Sequence, residues 1–423
     1  MNNTIKLAVA SALLAAASTA SAAGGIVAGD WTLDIGGVVN AYYTSTKQSG
    51  TSGGAGYGGL FNTVNSTGTS TANNITTGLL PNYLSVSGKT RQNDLDVTFL
   101  ISIQPGASTT AGGIQSFNNG NGARQENRQA FLTFGDASWG SVKLGKDIGV
   151  FASDAILNDM TLLGVGSGAG GLAGNDTTTG RIGTGFMYAD WKSQIAYTSP
   201  NFNGLSFTAA VTQAWNVQNT IIGATSTGRG GKEPAFEGKA SYAFNADPVA
   251  GKVWVSGISQ KVEGLTNGAA TPVALTGAGA SDRATAVDFG ANVSAAGFGL
   301  TGYYYTGHGI GQTIQLNSGF DTAGNDRKSD GYYVQGTYTL PGVATKLGVS
   351  YGESKLKGTS SETLLQDITD SMWTVGAYHP LTKHLNLVAE YSEAKHEYDV
   401  KTVGVANTSS KGKTVALGAI LFF

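Results

Sequence analysis

Over stretches of nine to eleven residues this chain alternates apolar with polar side chains. After residue 23 it nowhere holds the eighteen or so consecutive apolar residues that a membrane-crossing helix requires. From Trp31 to Tyr43 one parity reads Trp31, Leu33, Ile35, Gly37, Val39, Ala41 and Tyr43, against Thr32, Asp34, Gly36, Val38, Asn40 and Tyr42 on the other. Successive side chains of a strand point to opposite faces, so such a segment has one apolar and one mostly polar face. The pattern recurs over 205–212, 236–244, 287–294, 332–340, 385–392 and 415–423. Strands of soluble proteins usually run five or six residues. These match the length that a tilted strand needs to cross a bilayer. Unpaired backbone groups in hydrocarbon cost several kcal/mol each, so a sheet can cross only if it closes on itself.

Composition fits that reading. Charged residues are 13% of the chain, about half the usual share, and hydrophobic content is 40%. A soluble surface needs more charge than this, and a helical membrane bundle needs more apolar residues. A barrel with lipid outside and water inside needs neither. The 63 glycines suit turns and curved walls. Net charge of -2 leaves no basic excess for nucleic acid, and the absence of Cys excludes disulfides, thiolate metal sites and a cysteine nucleophile. About 400 residues accommodate roughly sixteen to eighteen strands, a size that leaves an aqueous channel.

Residues 1–22 read as a secretory signal: Lys6, an apolar run from Leu7 to Ala17, and Ala20-Ser21-Ala22 before the expected cleavage point. The mature unit is then 23–423. Tyr42, Tyr43, Tyr303 and Tyr391 are candidates for the aromatic girdles of a barrel. Low-complexity stretches at 50–78, 105–122 and 164–180 read as long loops. Within the third, Gly166-Ser167-Gly168-Ala169-Gly170-Gly171 has dinucleotide-like spacing but opens no strand-helix-strand unit. The four histidines, His308, His379, His384 and His396, have no metalloprotease spacing. No cofactor, metal or catalytic group is expected.

Asn127-Arg128-Gln129-Ala130-Phe131, then Gly140-Ser141-Val142-Lys143-Leu144-Gly145-Lys146, resembles the trimeric general-diffusion porins of Gram-negative bacteria. Asn158-Asp159-Met160, Gly180-Arg181-Ile182-Gly183, Tyr197-Thr198-Ser199-Pro200 and Asn203-Gly204-Leu205 extend the likeness, and the terminal Phe423 resembles the assembly signal of outer-membrane proteins. The resemblance implies an all-β fold, a closed antiparallel transmembrane barrel of sixteen strands whose third loop folds inward, here roughly 147–180. It implies a homotrimer in outer-membrane lipid, inserted by the assembly machinery through the strand ending at Phe423.

By the same resemblance, Asp159 matches an acid of the inward loop, and Arg128 and Arg181 match arginines of the opposite wall. Lys143, whose neighbours Val142 and Leu144 take the outward parity, is a further lumen candidate, and Arg91 stands in for a wall arginine of the first hairpin. Two positions depart from the family pattern: Leu163 replaces a second loop acid, and Glu126 replaces a basic residue. Asp147 and Asp154 offer partial compensation. Leu132 and Phe134 share the parity of Arg128, which suggests a strand at a subunit interface. The function implied is passive diffusion of ions and small hydrophilic solutes. Alternatives are a porin selective for a sugar or organic acid, a surface structural or adhesive β-protein without a pore, and an enzyme built into a barrel.

Overall fold

The structure, a computed structural model, describes residues 25–50, 69–107, 125–167, 177–219, 223–226, 230–269 and 271–423. The expected signal segment lies outside them, as do much of the low-complexity stretches and Gly168–Gly171. The first eight staves of the wall are β1 (Trp31–Gly50), β2 (Thr69–Thr76, resumed at Tyr83–Gln92), β3 (Leu95–Pro105), β4 (Gln125–Glu126, resumed at Ala130–Asp136), β5 (Gly140–Ile148), β6 (Trp191–Thr198), β7 (Leu205–Thr212) and β8 (Ala235–Ala246). The rest are β9 (Val249–Glu263), β10 (Ser281–Ala295), β11 (Phe298–His308), β12 (Lys328–Thr339), β13 (Lys346–Lys357), β14 (Leu365–Pro380), β15 (Leu385–Val400) and β16 (Thr408–Phe422). Each stave pairs antiparallel with the next, and β16 returns to β1 from Val38↔Phe422 to Gly50↔Ser410, closing a sixteen-stranded barrel.

The seam ends in a close approach at Gly37. The Gly37 N–H donates to the Phe423 carbonyl at 2.9 Å and the Phe423 N–H returns to the Gly37 carbonyl at 3.1 Å. A Cβ at Gly37 would stand 2.4 Å from the Tyr83 carbonyl of β2 and 2.6 Å from the Phe423 ring, so a side chain there would push β1 against β2 and displace the ring.

The alternation divides the two faces as expected. On β1, Val39 is 55% and Tyr43 49% exposed, whereas Asn40 and Tyr42 between them are 2% and 1%. Thr44, Thr46 and Gln48 continue the inward set. β1 and most staves from β8 onward outrun the expected nine to eleven residues because their upper ends leave the lipid, whereas β3 to β7 do not exceed that length. On β15 the outward parity passes from Leu387, Ala389 and Tyr391 to Glu393, Lys395 and Glu397. At the same level the outward parity of β16 turns to Lys413 and Lys411, and that of β1 to Lys47. Tyr391 and Trp373 meet at that boundary, centroids 5.2 Å apart, and Phe298 and Tyr338 meet at the opposite rim at 4.3 Å. Tyr43 and Tyr391 thus take girdle positions. Tyr42 and Tyr303 do not, because their parity faces inward: the Tyr42 hydroxyl donates to the Leu163 carbonyl at 2.7 Å and that of Tyr303 to Asp288 at 3.0 Å.

Short turns and long connections alternate around the barrel. Two staves are interrupted. Residues 77–82 of β2 bend into the interior, where Asn40 holds them through the Gly78 N–H at 2.8 Å and the Leu80 carbonyl at 2.8 Å. In β4 the pairing lapses between Glu126 and Ala130, so Arg128 is buried inside while Leu132 two pairs further on is 45% exposed outside. The mixed parity read from the sequence is this break.

Candidate functional site

The third long connection joins β5 to β6, and its described residues, 149–167 and 177–190, lie along the inner wall. Ala152, with φ 64°, turns the chain into α1 (Ser153–Asn158). A 3-10 turn follows at Met160–Leu163, capped by Asp159, whose carboxylate accepts from the Thr161 N–H at 3.0 Å and the Thr161 hydroxyl at 2.6 Å. The wall fastens this path at successive points with inward polar side chains. Glu237 of β8 accepts from the Val150 and Phe151 N–H groups at 2.7 and 2.8 Å, and also pairs with Lys192 of β6 at 2.5 Å. Gln335 of β12 accepts from the Met160 N–H at 2.7 Å and donates to the Asn158 carbonyl at 3.0 Å. Glu390 of β15 accepts from Val165 and Gly166 at 2.7 and 2.8 Å and from the Tyr378 hydroxyl at 2.6 Å. Gly164 is needed at that last point, since a Cβ there would fall 2.2 Å from the Glu390 carboxylate.

Each charge singled out in the sequence has a definite place. Asp154, on α1, sits between Lys239 of β8, at 2.9 Å, and Lys252 of β9. Burial pushes its carboxyl up, but the two ammonium groups outweigh that and hold it below the ordinary carboxylate range. Asp159 is sealed, and burial raises its carboxyl, partly offset by the charge of Arg181. Arg181 differs from the resemblance. It lies on the returning limb of the same connection as Asp159, which extends to residue 190, and not on the opposite wall. It is fully buried, donating to the Met372 carbonyl at 2.9 Å and to the Ser350 hydroxyl, and burial lowers its basicity.

Arg128 faces inward, its Nε 2.8 Å from Glu126 and its guanidinium carbon 5.9 Å from the Trp191 ring centroid. Lys143 faces inward beside Asp147. Arg91 is not brought to this group. It sits half-exposed at the short-turn rim between Asp96 and Asp136, each at 2.9 Å, at the opposite end of its strand.

Sequence reading missed the hub made by Lys192, although Glu237, Lys239 and Glu390 stand on the polar parity of otherwise regular strands, which was their visible signal. It also missed that the sixth long connection, 309–327, packs inward against the third. The Tyr188 N–H donates to the Thr313 carbonyl at 2.9 Å, and Gln315 accepts from Lys192 at 2.6 Å. His396, on β15, pairs with Asp370 of β14 at 2.7 Å, and Asp370 also accepts from Gln312 of the sixth connection at 3.0 Å.

The chain resembles several solved structures over nearly its whole length. The outer-membrane channel DcaP of Acinetobacter baumannii superposes with a TM-score of 0.63 at 14% identity, covering 95% of this chain and 100% of that one. An anion-selective porin from Comamonas acidovorans gives 0.57 at 16%, covering 93% and 100%, and OmpF of Salmonella typhi, in complex with daunomycin, gives 0.52 at 15%, covering 94% and 99%. At these identities the likeness establishes the fold. No curated protein sequence matches the chain. The sequence model of the family described as Gram-negative porin matches residues 8–398. A closed barrel with an apolar outside, a polar inside and a third connection fastened within it, together with that match, makes this chain a member of the Gram-negative porin family, an outer-membrane channel for passive diffusion.

Proposed function

We propose that the chain, after removal of residues 1–22 on export, works as a homotrimer. Its narrowest passage lies between the third connection and the wall of β4 to β9. The observation that carries this reading is the row of wall side chains, Glu237, Gln335 and Glu390, that fasten the third connection inside the barrel. A loop held at that many points narrows the passage without blocking it through random motion.

The charges that solutes meet are Arg128 and Glu126, Lys143, Lys239 and Lys252. Asp154 is the loop acid that faces the lysines. Asp159 and Arg181 act from within the loop, fixing its shape, and Arg91 belongs to the rim. Opposed charges across a low-dielectric gap set up a transverse field that favours dipolar and hydrated solutes. Transport is diffusive and has no covalent step. Phe423, at the closing seam, is the end the assembly machinery would engage.

Liposome swelling with sugars of increasing size tests the reading. Influx should fall steeply with sugar size, and influx equal to that of protein-free liposomes would overturn it.

A further inference from the structure

We propose that the outer face of β1, β16 and β15 carries a docking site for a lipid whose head group bears phosphate, formed by Lys47, Lys395, Lys411 and Lys413 above the apolar band. The site lies on the other side of the wall from the passage, so it stands or falls independently of the channel reading.

Strand register brings the four lysines together. Lys47 of β1 lies directly across from Lys413 of β16, and Lys411 of β16 directly across from Lys395 of β15. All four take the outward parity, between inward neighbours such as Gln48, Thr414 and His396. Like charges directly opposite each other on a sheet destabilise it, and here two such pairs adjoin. The acids at hand do not cancel them. Glu393 is shared by Lys411 and Lys413, each at 3.7 Å, and Glu397 takes Lys395 at 2.6 Å, while Lys47 makes no ion pair among the described residues. Four ammonium groups thus meet two carboxylates. The side chains of Lys411 and Lys413 are 46% and 52% exposed, so a partner outside the wall can reach them. On β13, by contrast, Lys355 and Lys357 each have an acid of their own, Asp367 at 2.8 Å and Asp330 at 3.6 Å.

The height of the patch selects the partner. Immediately below it the outward face is apolar: Val415 and Leu417 of β16 are 43% and 54% exposed, and Tyr43 of β1 is 49% exposed. At about 3.4 Å per residue, Lys413 stands roughly 7 Å along the strand from Val415, and Lys411 roughly 14 Å. An acyl chain lying against Val415 and Leu417 therefore brings its head group to the lysines, whose aliphatic stems can lean along the membrane edge. A phosphate monoester, with a charge of about −1.5 to −2 at pH 7, offsets the two ammonium groups that lack a carboxylate. A free anion could use the lysines but would leave the apolar face beneath them unused.

The test places the purified protein in phosphatidylcholine vesicles, in the same vesicles with phosphatidic acid added, and in phosphatidylcholine vesicles with inorganic phosphate in the buffer. Phosphatidic acid should raise the urea midpoint of unfolding, and free phosphate should not. Lipid retained on the protein after gentle detergent extraction should be enriched in phosphatidic acid over its share of the vesicle. Each lysine beside an anionic lipid strengthens the attraction about fivefold. Lys47→Gln, Lys411→Gln and Lys413→Gln together should therefore bring the enrichment down to unity and remove the rise in midpoint, whereas Lys355→Gln with Lys357→Gln should leave both unchanged. Where the triple variant does not insert, Lys47→Gln and Lys413→Gln singly should each cut the enrichment about fivefold. Enrichment that survives these substitutions, an equal loss in the β13 pair, or free phosphate that reproduces the whole rise would overturn the lipid site.

Discussion

Glu237 accepts four hydrogen bonds at a place solvent does not reach: two loop N–H groups, the Thr212 hydroxyl and the Lys192 ammonium. Removing one partner of a buried pair strands the other, a loss of about 3–5 kcal/mol. Glu237→Leu should therefore lower the unfolding temperature of the barrel and make single-channel current noisier, because Lys192 is left charged and the start of the third connection is released. Unchanged melting and a quiet current would count against the fastening role. Arg128 and Arg181 should separate cleanly. Arg128→Ala should shift the reversal potential in a salt gradient toward cations, whereas Arg181→Ala should chiefly lower thermal stability, since it removes the buried donor that joins the loop to the Met372 carbonyl and the Ser350 hydroxyl. Asp154 gives a pH signature. Its folded carboxyl is held below the unfolded value, so its contribution is present above the unfolded value and is lost as pH falls through the folded one. The melting-temperature gap between the native protein and Asp154→Asn should be constant from neutral pH down to about pH 5 and close below about pH 4. A gap that instead widened in acid would contradict the Lys239 and Lys252 pairing.

At the level of elements, the outer face sets a depth scale. Leu417, 54% exposed, lies within the apolar band of β16, and Lys411 lies above its upper edge. Leu417→Arg should cost about 2–4 kcal/mol, and a change at Lys411 less than about 1 kcal/mol, in urea unfolding from lipid vesicles. Equal costs at the two positions would misplace the band. Period two made these staves legible in sequence, because each side chain on them has only two directions to choose from. It failed where the period breaks. Arg128 shares the parity of Leu132 yet faces inward, because the single Asn127 in the lapse between Glu126 and Ala130 is too weak a signal to mark the break, and the bend at 77–82 is hidden among loop-like Gly and Pro. The inward loop was expected from the resemblance, but its far end was not. Arg181 through Asp190 contain no alternation to say whether they belong to wall or loop, and only the packing against β13 and β14 decides it. Tyr42 and Tyr303 teach the same lesson from the opposite direction, since parity, which was readable, outranks aromatic character.

For the whole molecule, the inversion of polarity is the organising fact: apolar residues such as Val39, Leu300 and Leu417 face out, while Asn40, Lys192, Arg181 and Glu390 are enclosed. A low total of charged residues follows from an outside that must avoid them and an inside that uses each one in a fixed contact. The proposed trimer should run as a high-mass band on unheated detergent gels and collapse to the monomer band on heating. Light scattering that gives monomer mass before heating would contradict it. The most direct test of the channel itself is planar-bilayer recording of the purified protein in a salt gradient. Discrete ohmic steps are expected, with a reversal potential that moves toward cations in Lys239→Glu, and a bilayer that stays at baseline conductance would show that the protein forms no channel.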